Sequence, residues 1–318
     1  QRATLFSSAT ANAALSISGA EIKVFGLGGF GCRMVSRLAY DVDRSFEGNH
    51  ARPAFFALDT DTDSLASVDV PQVLPIFCDN VDSVLQSAGA MLPSSLVILM
   101  AGIGGASGTT LMLELAQQMR RSGAFVVAMV TMPSDDPQAV MAANALMQLE
   151  QVSDVVFVLD HPELPLSKAG ADSVVERAQS LFYAERRMLQ CAAGLLRAVA
   201  LPSRTTLGVD EIRAIFAGTH KAGYGVAAGR YGQVIGRCGA EAVTQARACK
   251  ETEPYENLRA ALIVFSGPAA QLRWASIQAG KDEMCRLLGA EVRCVFGVQP
   301  NENGGHSQVK TQVWLAFS

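Results

Sequence analysis

An α/β protein with a parallel, doubly wound sheet is predicted by three features of the sequence. Apolar runs of strand length alternate with helix-period segments from Glu21 to Asp160, two of those runs enter glycine-rich turns, and the chain is 49% hydrophobic against 18% charged. Strands covered by helices on both faces require that balance. In such a sheet a ligand site lies outside the carboxyl ends of the strands.

The elements follow in order. The first twenty residues, QRATLFSSATANAALSISGA, are small and polar, lack the basic and apolar segments of a secretory signal, and are expected as a loose arm. IKVFGLGG, residues 22–29, is a strand entering glycines, with a helix through Met34, Val35 and Leu38 behind it. AFFALDTDTDSL gives a strand ending at Asp59, LVILMAG a strand into the second glycine turn, AFVVAMVTMP a strand closed by Pro133, and SDVVFVLD a strand ending at Asp160. Between the last two, Val140, Ala143, Leu146 and Leu149 mark a helix. Over residues 171–200, Val175, Ala178, Leu181, Met188, Leu189, Ala192, Leu195, Leu196 and Val199 recur at helical spacing without proline, which predicts one long helix. Beyond Pro202 a smaller unit is expected: a helix over 235–248, the strand AALIVFSG, a helix over 269–288, and the strands EVRCVFGVQ and QVKTQVWLAF. The last alternates Val309, Thr311, Val313, Leu315 and Phe317 against Lys310, Gln312 and Trp314, as a half-exposed strand does. The expected division is a first domain over 21–170, a central helix over 171–200 and a C-terminal α+β domain over 201–318.

Composition narrows the function. A net charge of −4 with no basic stripe argues against nucleic-acid binding, and no apolar run is long enough to span a bilayer. Cys32, Cys78, Cys191, Cys238, Cys249, Cys285 and Cys294 have no paired spacing, which suits packing thiols in a reducing cytoplasm. The four histidines are scattered without partners at metal-ligand spacing, so no metal site is expected.

The two glycine turns carry the chemistry. Gly26, Gly28 and Gly31 in GLGGFG fit the G-x-G-x-x-G fingerprint, with Asp59 where a dinucleotide fold keeps its ribose acid. That leaves an NAD-dependent oxidoreductase as a remote alternative. The second turn, GIGGASGTT after a later strand, argues against it, because a dehydrogenase has no use for a second glycine loop. The second turn, Gly104 to Gly108, also admits a bland reading as tight helix–sheet packing. Asp59 and Asp61 admit one as strand-end caps, Glu185 and Arg186 as a solvated pair on a long helix, and Asp210 and Glu211 as the acidic start of a helix.

Taken together, the turns resemble the tubulin/FtsZ superfamily. IKVFGLGGFGCR resembles the first FtsZ phosphate loop, and Ala57-Leu58-Asp59-Thr60-Asp61 the A-I-N-T-D that ends the second strand. Residues 104–110, GGASGTT, stand where FtsZ has G-G-G-T-G-T-G, and Val130 to Pro133 where it has V-T-x-P. The order of motifs continues through the long helix and GYGVAAG to the final strands. The resemblance implies a tubulin/FtsZ-like fold, GTP or GDP with Mg²⁺ across the strand ends, and head-to-tail self-assembly in which one subunit completes its neighbour's site. By that resemblance Gly28, Gly29, Gly31, Cys32 and Arg33 line the first phosphate loop. Gly105, Ala106, Ser107, Gly108 and Thr109 form the second, Asp59 and Asp61 flank the nucleotide, and Glu185 faces the guanine edge.

Departures from the motif predict an eroded site. Phe30 replaces a glycine, Arg33 an asparagine, and Ala106 and Thr110 interrupt the signature. Between Leu65 and Leu96 no glycine-rich loop wraps a terminal phosphate, and after Pro133 the expected Glu and Arg are missing, with Asp135 or Asp136 left as the acid. Glu185 and Arg186 stand in place of an Asn-Asp pair. The catalytic loop N-x-D-x-x-D becomes Thr206-Leu207-Gly208-Val209-Asp210-Glu211, which leaves Glu211 lengthened and Asp210 out of register. The expectation is a self-associating cytoskeletal or scaffold protein with poor or absent hydrolysis; the alternative is an active GTPase working through Arg33, Glu185 and Glu211. Because the chain ends on a strand at Ser318, recruitment through a terminal adaptor peptide is not expected, and the adaptor partners are unassigned.

Overall fold

The computed structural model describes residues 21–43, 52–78, 94–133, 136–160, 174–201, 207–229, 235–248, 257–300 and 308–318. The expected arm over 1–20, Cys249, Thr206, Asp135, half of the segment between Leu65 and Leu96, and residues 171–173 of the long helix lie outside these.

Six strands form the first half: β1 (Ile22–Leu27), β2 (Ala54–Asp59), β3 (Val73–Phe77), β4 (Leu96–Gly102), β5 (Phe125–Thr131) and β6 (Val155–Val158). All pair in parallel in the order β3-β2-β1-β4-β5-β6. Helices α1 (Gly28–Asp43), α2 (Thr62–Ala66), α3 (Ala106–Arg121) and α4 (Asp136–Val152) connect them. Helix α1 buries Cys32, Val35, Leu38, Ala39 and Val42, one stripe at 3.6-residue spacing, against one face of the sheet. Leu111, Met112, Leu115 and Met119 of α3, with Leu149 of α4, cover the other face. Strand β3 went unread in the sequence because it is short and carries Pro75; it lies at the sheet's edge, where a missing N–H is tolerated.

The second half holds α5 (Val174–Ala200), α6 (Val209–Phe216), β7 (Lys221–Gly229), α7 (Ile235–Ala248), β8 (Leu258–Gly267), α8 (Trp274–Leu288), β9 (Arg293–Pro300) and β10 (Val309–Phe317). Its order, β7-β10-β8-β9, continues the first sheet through two residue pairs, Val156 with Lys221 and Phe157 with Ala222. Strand β10 runs antiparallel to both neighbours, which makes this half mixed.

Three expectations need correction. The β10 strand is not half-exposed: Thr311, Gln312 and Trp314 are buried along with the apolar positions. Polar residues there face a helix rather than water, a difference that alternation alone cannot register. Gln312 donates to the Gln190 carbonyl and to the Tyr224 hydroxyl, at 3.1 and 2.8 Å, and so ties α5 to the strand. The stripe on the long helix also fails at its start. Ala178 and Leu181 are exposed and the buried run begins at Ala184, because the sheet supports only the later turns. Finally, the helix expected over 269–288 begins only at Trp274, because the chain after β8 first closes a turn in which the Gln271 N–H donates to the Pro268 carbonyl. GYGVAAG is a strand, β7, whose glycines admit α7: a Cβ on Gly223 or Gly225 would lie about 2 Å from the Ala246 or Ala242 carbonyl oxygen.

Candidate functional site

Strand order 3-2-1-4-5-6 reverses between β1 and β4, and that switch point opens a crevice at their carboxyl ends. From β1 the chain turns onto one face as α1; from β4 it turns onto the other as α3. Neither helix has an acidic residue in its first turn, so two positive helix ends meet at the crevice.

The turns are packed against each other as closely as backbone allows. Gly28 has φ +69°, and a Cβ there would sit 3.0 Å from Cα and N of Gly108. A Cβ on Gly31 would lie 2.3 Å from the Met100 carbonyl oxygen, and one on Gly108 3.1 Å from that of Gly102. These glycines are therefore required by the fold itself. Gly105 differs: it takes an extended conformation at φ −82°, and no atom lies within 4 Å of the position its Cβ would occupy. Of the loop glycines, Gly105 opens the second helix to the crevice; it and Ala106 are exposed.

Around these turns the polar side chains mostly serve local structure. Asp59 is buried and accepts from the N–H groups of Thr60 and Asp61, at 2.7 and 3.3 Å. Asp61 caps α2, and the Asp63 N–H, followed by the Ser64 hydroxyl, holds its carboxyl below the usual carboxylate range. Thr109 accepts from the Gly104 N–H at 3.0 Å. The hydroxyls of Thr60 and Ser107 meet at 2.7 Å and join the second and fourth strand ends. Cys32 points inward toward the Gly26 and Leu58 carbonyls; burial, with Asp59 beside it, pushes its thiol up to about 12. Only its backbone is left to face a ligand. Gly29 faces Ser64 and Asp59.

On the α1 face the crevice is occupied by side chains. The Phe30 ring lies over Gly102, whose Cβ would meet it at 3.5 Å, and the Thr131 hydroxyl is equally close. Arg33 stacks on Phe30, 5.7 Å from the ring centroid, and its guanidinium lies 3.8 Å from Glu185 of α5. Arg37 donates to the other Glu185 oxygen at 2.5 Å. Glu185, buried to 9% exposure, is thus enclosed by two cations from α1.

Thirteen of the fifteen residues singled out from the sequence therefore converge on the carboxyl edge, from β1/α1, the end of β2, the start of α3, and α5. Asp210 and Glu211 do not. Glu211 accepts from the Gly208 N–H at 2.8 Å and caps its own helix, α6. Two residues on, Arg213 donates to the Gly123 carbonyl at the amino end of β5. The length of β5, at ~3.3 Å per residue, separates α6 from the glycine turns by about 20 Å. One element of the site, Arg37, went unread although it was legible, since it follows Arg33 by four residues on the same helix face. Among the described residues no three His, Cys, Asp or Glu side chains group as metal ligands, and no helix is long and apolar enough to cross a membrane.

No protein-family model matches the chain. Cell division protein FtsZ 1 of Pyrococcus horikoshii is 25% identical over 223 residues, which cover 62% of this chain and 55% of that protein. The chain thus spans about half the length of the curated relatives it matches. Among solved structures, the W319Y mutant of FtsZ from M. jannaschii superposes with a TM-score of 0.74 at 18% identity, over 96% of this chain and 93% of that one. CetZ2 from Haloferax volcanii, solved as a GTPγS-bound protofilament, superposes with a TM-score of 0.69 at 17% identity, over 93% and 92% of the two chains. The paired glycine turns at the switch point, the central helix and these similarities give the chain a tubulin/FtsZ-like fold, with a sequence distantly similar to FtsZ proteins.

Proposed function

We propose that this protein is a self-associating cytoskeletal or scaffold protein of the cytoplasm whose nucleotide site has lost most of its specific contacts and which hydrolyses GTP poorly or not at all. The observation that carries this reading is the crevice on the α1 face, where Phe30, Arg33, Arg37 and Glu185 are engaged with one another. We further assign residues 21–170 as the GTP-binding-type domain, 171–200 as the central helix and 201–318 as the C-terminal domain.

The residues fit a nucleoside phosphate in one part and not in another. Gly105, open above the N-terminus of α3, fits an approaching phosphate, as do the unneutralised first turns of α1 and α3. The base and the hydrolytic acids do not fit. Glu185 already accepts a hydrogen bond from Arg37 and lies 3.8 Å from Arg33, so accepting from a guanine edge means giving up half-exposed ion pairs worth about 1 kcal/mol. A loss of that size is about fivefold in affinity. Glu211 is committed to its helix cap, and Asp210 is displaced from the motif. No hydrolytic step is derived from such a set.

Head-to-tail association is supported by where the two halves of the motif lie. The glycine turns and the start of α6 occupy opposite ends of the parallel strands, so only a second copy can bring them together, in an open, heterologous contact. The GTPγS-bound CetZ2 protofilament is a relative assembled with nucleotide. The test is analytical sedimentation with and without GTP and Mg²⁺, alongside phosphate release across a range of protein concentrations. Association independent of nucleotide, with release at background, is expected. Release that climbs with protein concentration would establish instead an active GTPase completed between subunits.

A further inference from the structure

The last helix and the edge strand place two thiols together. Cys285 lies in the final turn of α8, and its carbonyl accepts from the Gly289 N–H at 3.0 Å. Gly289, at φ +103°, reverses the chain, the Val292 N–H returns to the Gly289 carbonyl at 3.3 Å, and β9 begins at Arg293. That reversal lays the helix back along β9, with the Lys281 ammonium 5.1 Å from the Phe296 ring centroid; one turn later on the helix and two residues earlier on the strand, Cys285 and Cys294 lie side by side. Cys285 is exposed and Cys294 half-buried, whereas Cys32, Cys78, Cys191 and Cys238 are buried packing thiols. Among the described residues no third ligand joins the pair, which argues for thiol chemistry rather than a metal.

We propose that Cys285 and Cys294 are a redox-responsive pair that a hydroperoxide closes to an intrachain disulfide, fastening the end of α8 to the edge strand β9. The exposed Cys285 thiolate attacks one peroxide oxygen. The O–O bond breaks, hydroxide leaves and is protonated to water, and Cys285 is oxidised to a sulfenic acid. Cys294 then attacks the Cys285 sulfur, the S–O bond breaks, and a second water leaves with the Cys294 proton. Two thiols and one hydrogen peroxide thus yield one disulfide and two waters. Burial, with the Cys285 thiol beside it, pushes the Cys294 thiol up to about 12, which suits it to the second step rather than the first. This site is independent of the nucleotide crevice.

The test is intact-mass and non-reducing tryptic analysis of the full chain after hydrogen peroxide, with alkylation before and after dithiothreitol. Cleavage after Lys281, Arg286, Arg293 and Lys310 isolates each cysteine in its own peptide. Expected is a monomer about 2 Da lighter, with residues 282–286 linked to residues 294–310, reversed by dithiothreitol and absent in Cys285→Ser. Cys294→Ser should stop at the sulfenic acid on Cys285. The proposal is overturned if wild type gives only sulfinic or sulfonic acid at Cys285, an interchain dimer through Cys285, or two thiols that remain alkylatable at millimolar peroxide.

Discussion

Replacing Gly28 and Gly105 one at a time by alanine separates the two reasons a glycine loop exists. At Gly28 the backbone has φ +69°, and the new Cβ would stand 3.0 Å from the backbone of Gly108. The left-handed conformation costs an L-residue about 1–2 kcal/mol. Pushing two helix starts apart adds the cost of overpacking, about 1–3 kcal/mol. Gly28→Ala is expected to destabilise the fold by about 2–4 kcal/mol. At Gly105 the backbone is extended, with φ −82° and ψ 151°, and nothing lies within 4 Å of the added methyl. Only the weaker helix-capping preference of alanine opposes the change, at a cost well under ~1 kcal/mol. Urea denaturation of both variants with unchanged m-values reads the difference directly. Equal losses in the two variants, or a Gly28→Ala protein as stable as wild type, would refute the assignment of Gly28 to packing and Gly105 to an open approach.

Other outcomes follow from single contacts. Lys310 of β10 is held down at about 8, against an ordinary 10.5, by burial and then by Arg197 and Arg186. The unfolded chain therefore binds more protons between those values, and stability rises with pH from about 8 to about 10.5. Lys310→Met should stabilise the fold at pH 7 by about 1–3 kcal/mol and flatten that rise, as urea melts at pH 7, 9 and 10.5 would show. Gly194→Ala puts a methyl 2.2 Å from the Gln312 amide nitrogen and 2.9 Å from the Trp314 ring. With the buried amide displaced from Gln190 and Tyr224, a loss of about 2–4 kcal/mol and an altered near-ultraviolet Trp314 signal are expected. Glu185→Gln should cost only about 1 kcal/mol in thermal melts, because Arg33 and Arg37 are half-exposed and rehydrate when the charge is gone.

The parallel half was legible in the sequence because each of its long strands is buried on both faces and reads as an unbroken apolar run, as in VILMA and FVVAMV. The second half was less so. β7 is rich in glycine and alanine because α7 lies on its backbone, and Gln312 looks solvent-facing until Gly194 brings the central helix against it. The site divides the same way. Glycine spacing revealed the two turns, but not that Gly28, Gly31 and Gly108 hold one another while Gly105 alone of the second turn stands open. Charge identity revealed Arg33 and Glu185 as candidates, but not that they pair, since the contact joins helices 148 residues apart at Arg37 and Glu185.

Isothermal titration of GTP, and of GDP, with Mg²⁺ into nucleotide-stripped protein tests the proposed erosion of the site most directly. The engaged Phe30, Arg33, Arg37 and Glu185 cluster predicts no saturable heat up to millimolar nucleotide. A micromolar Kd for either nucleotide would contradict it and would show that the cluster opens to admit the base.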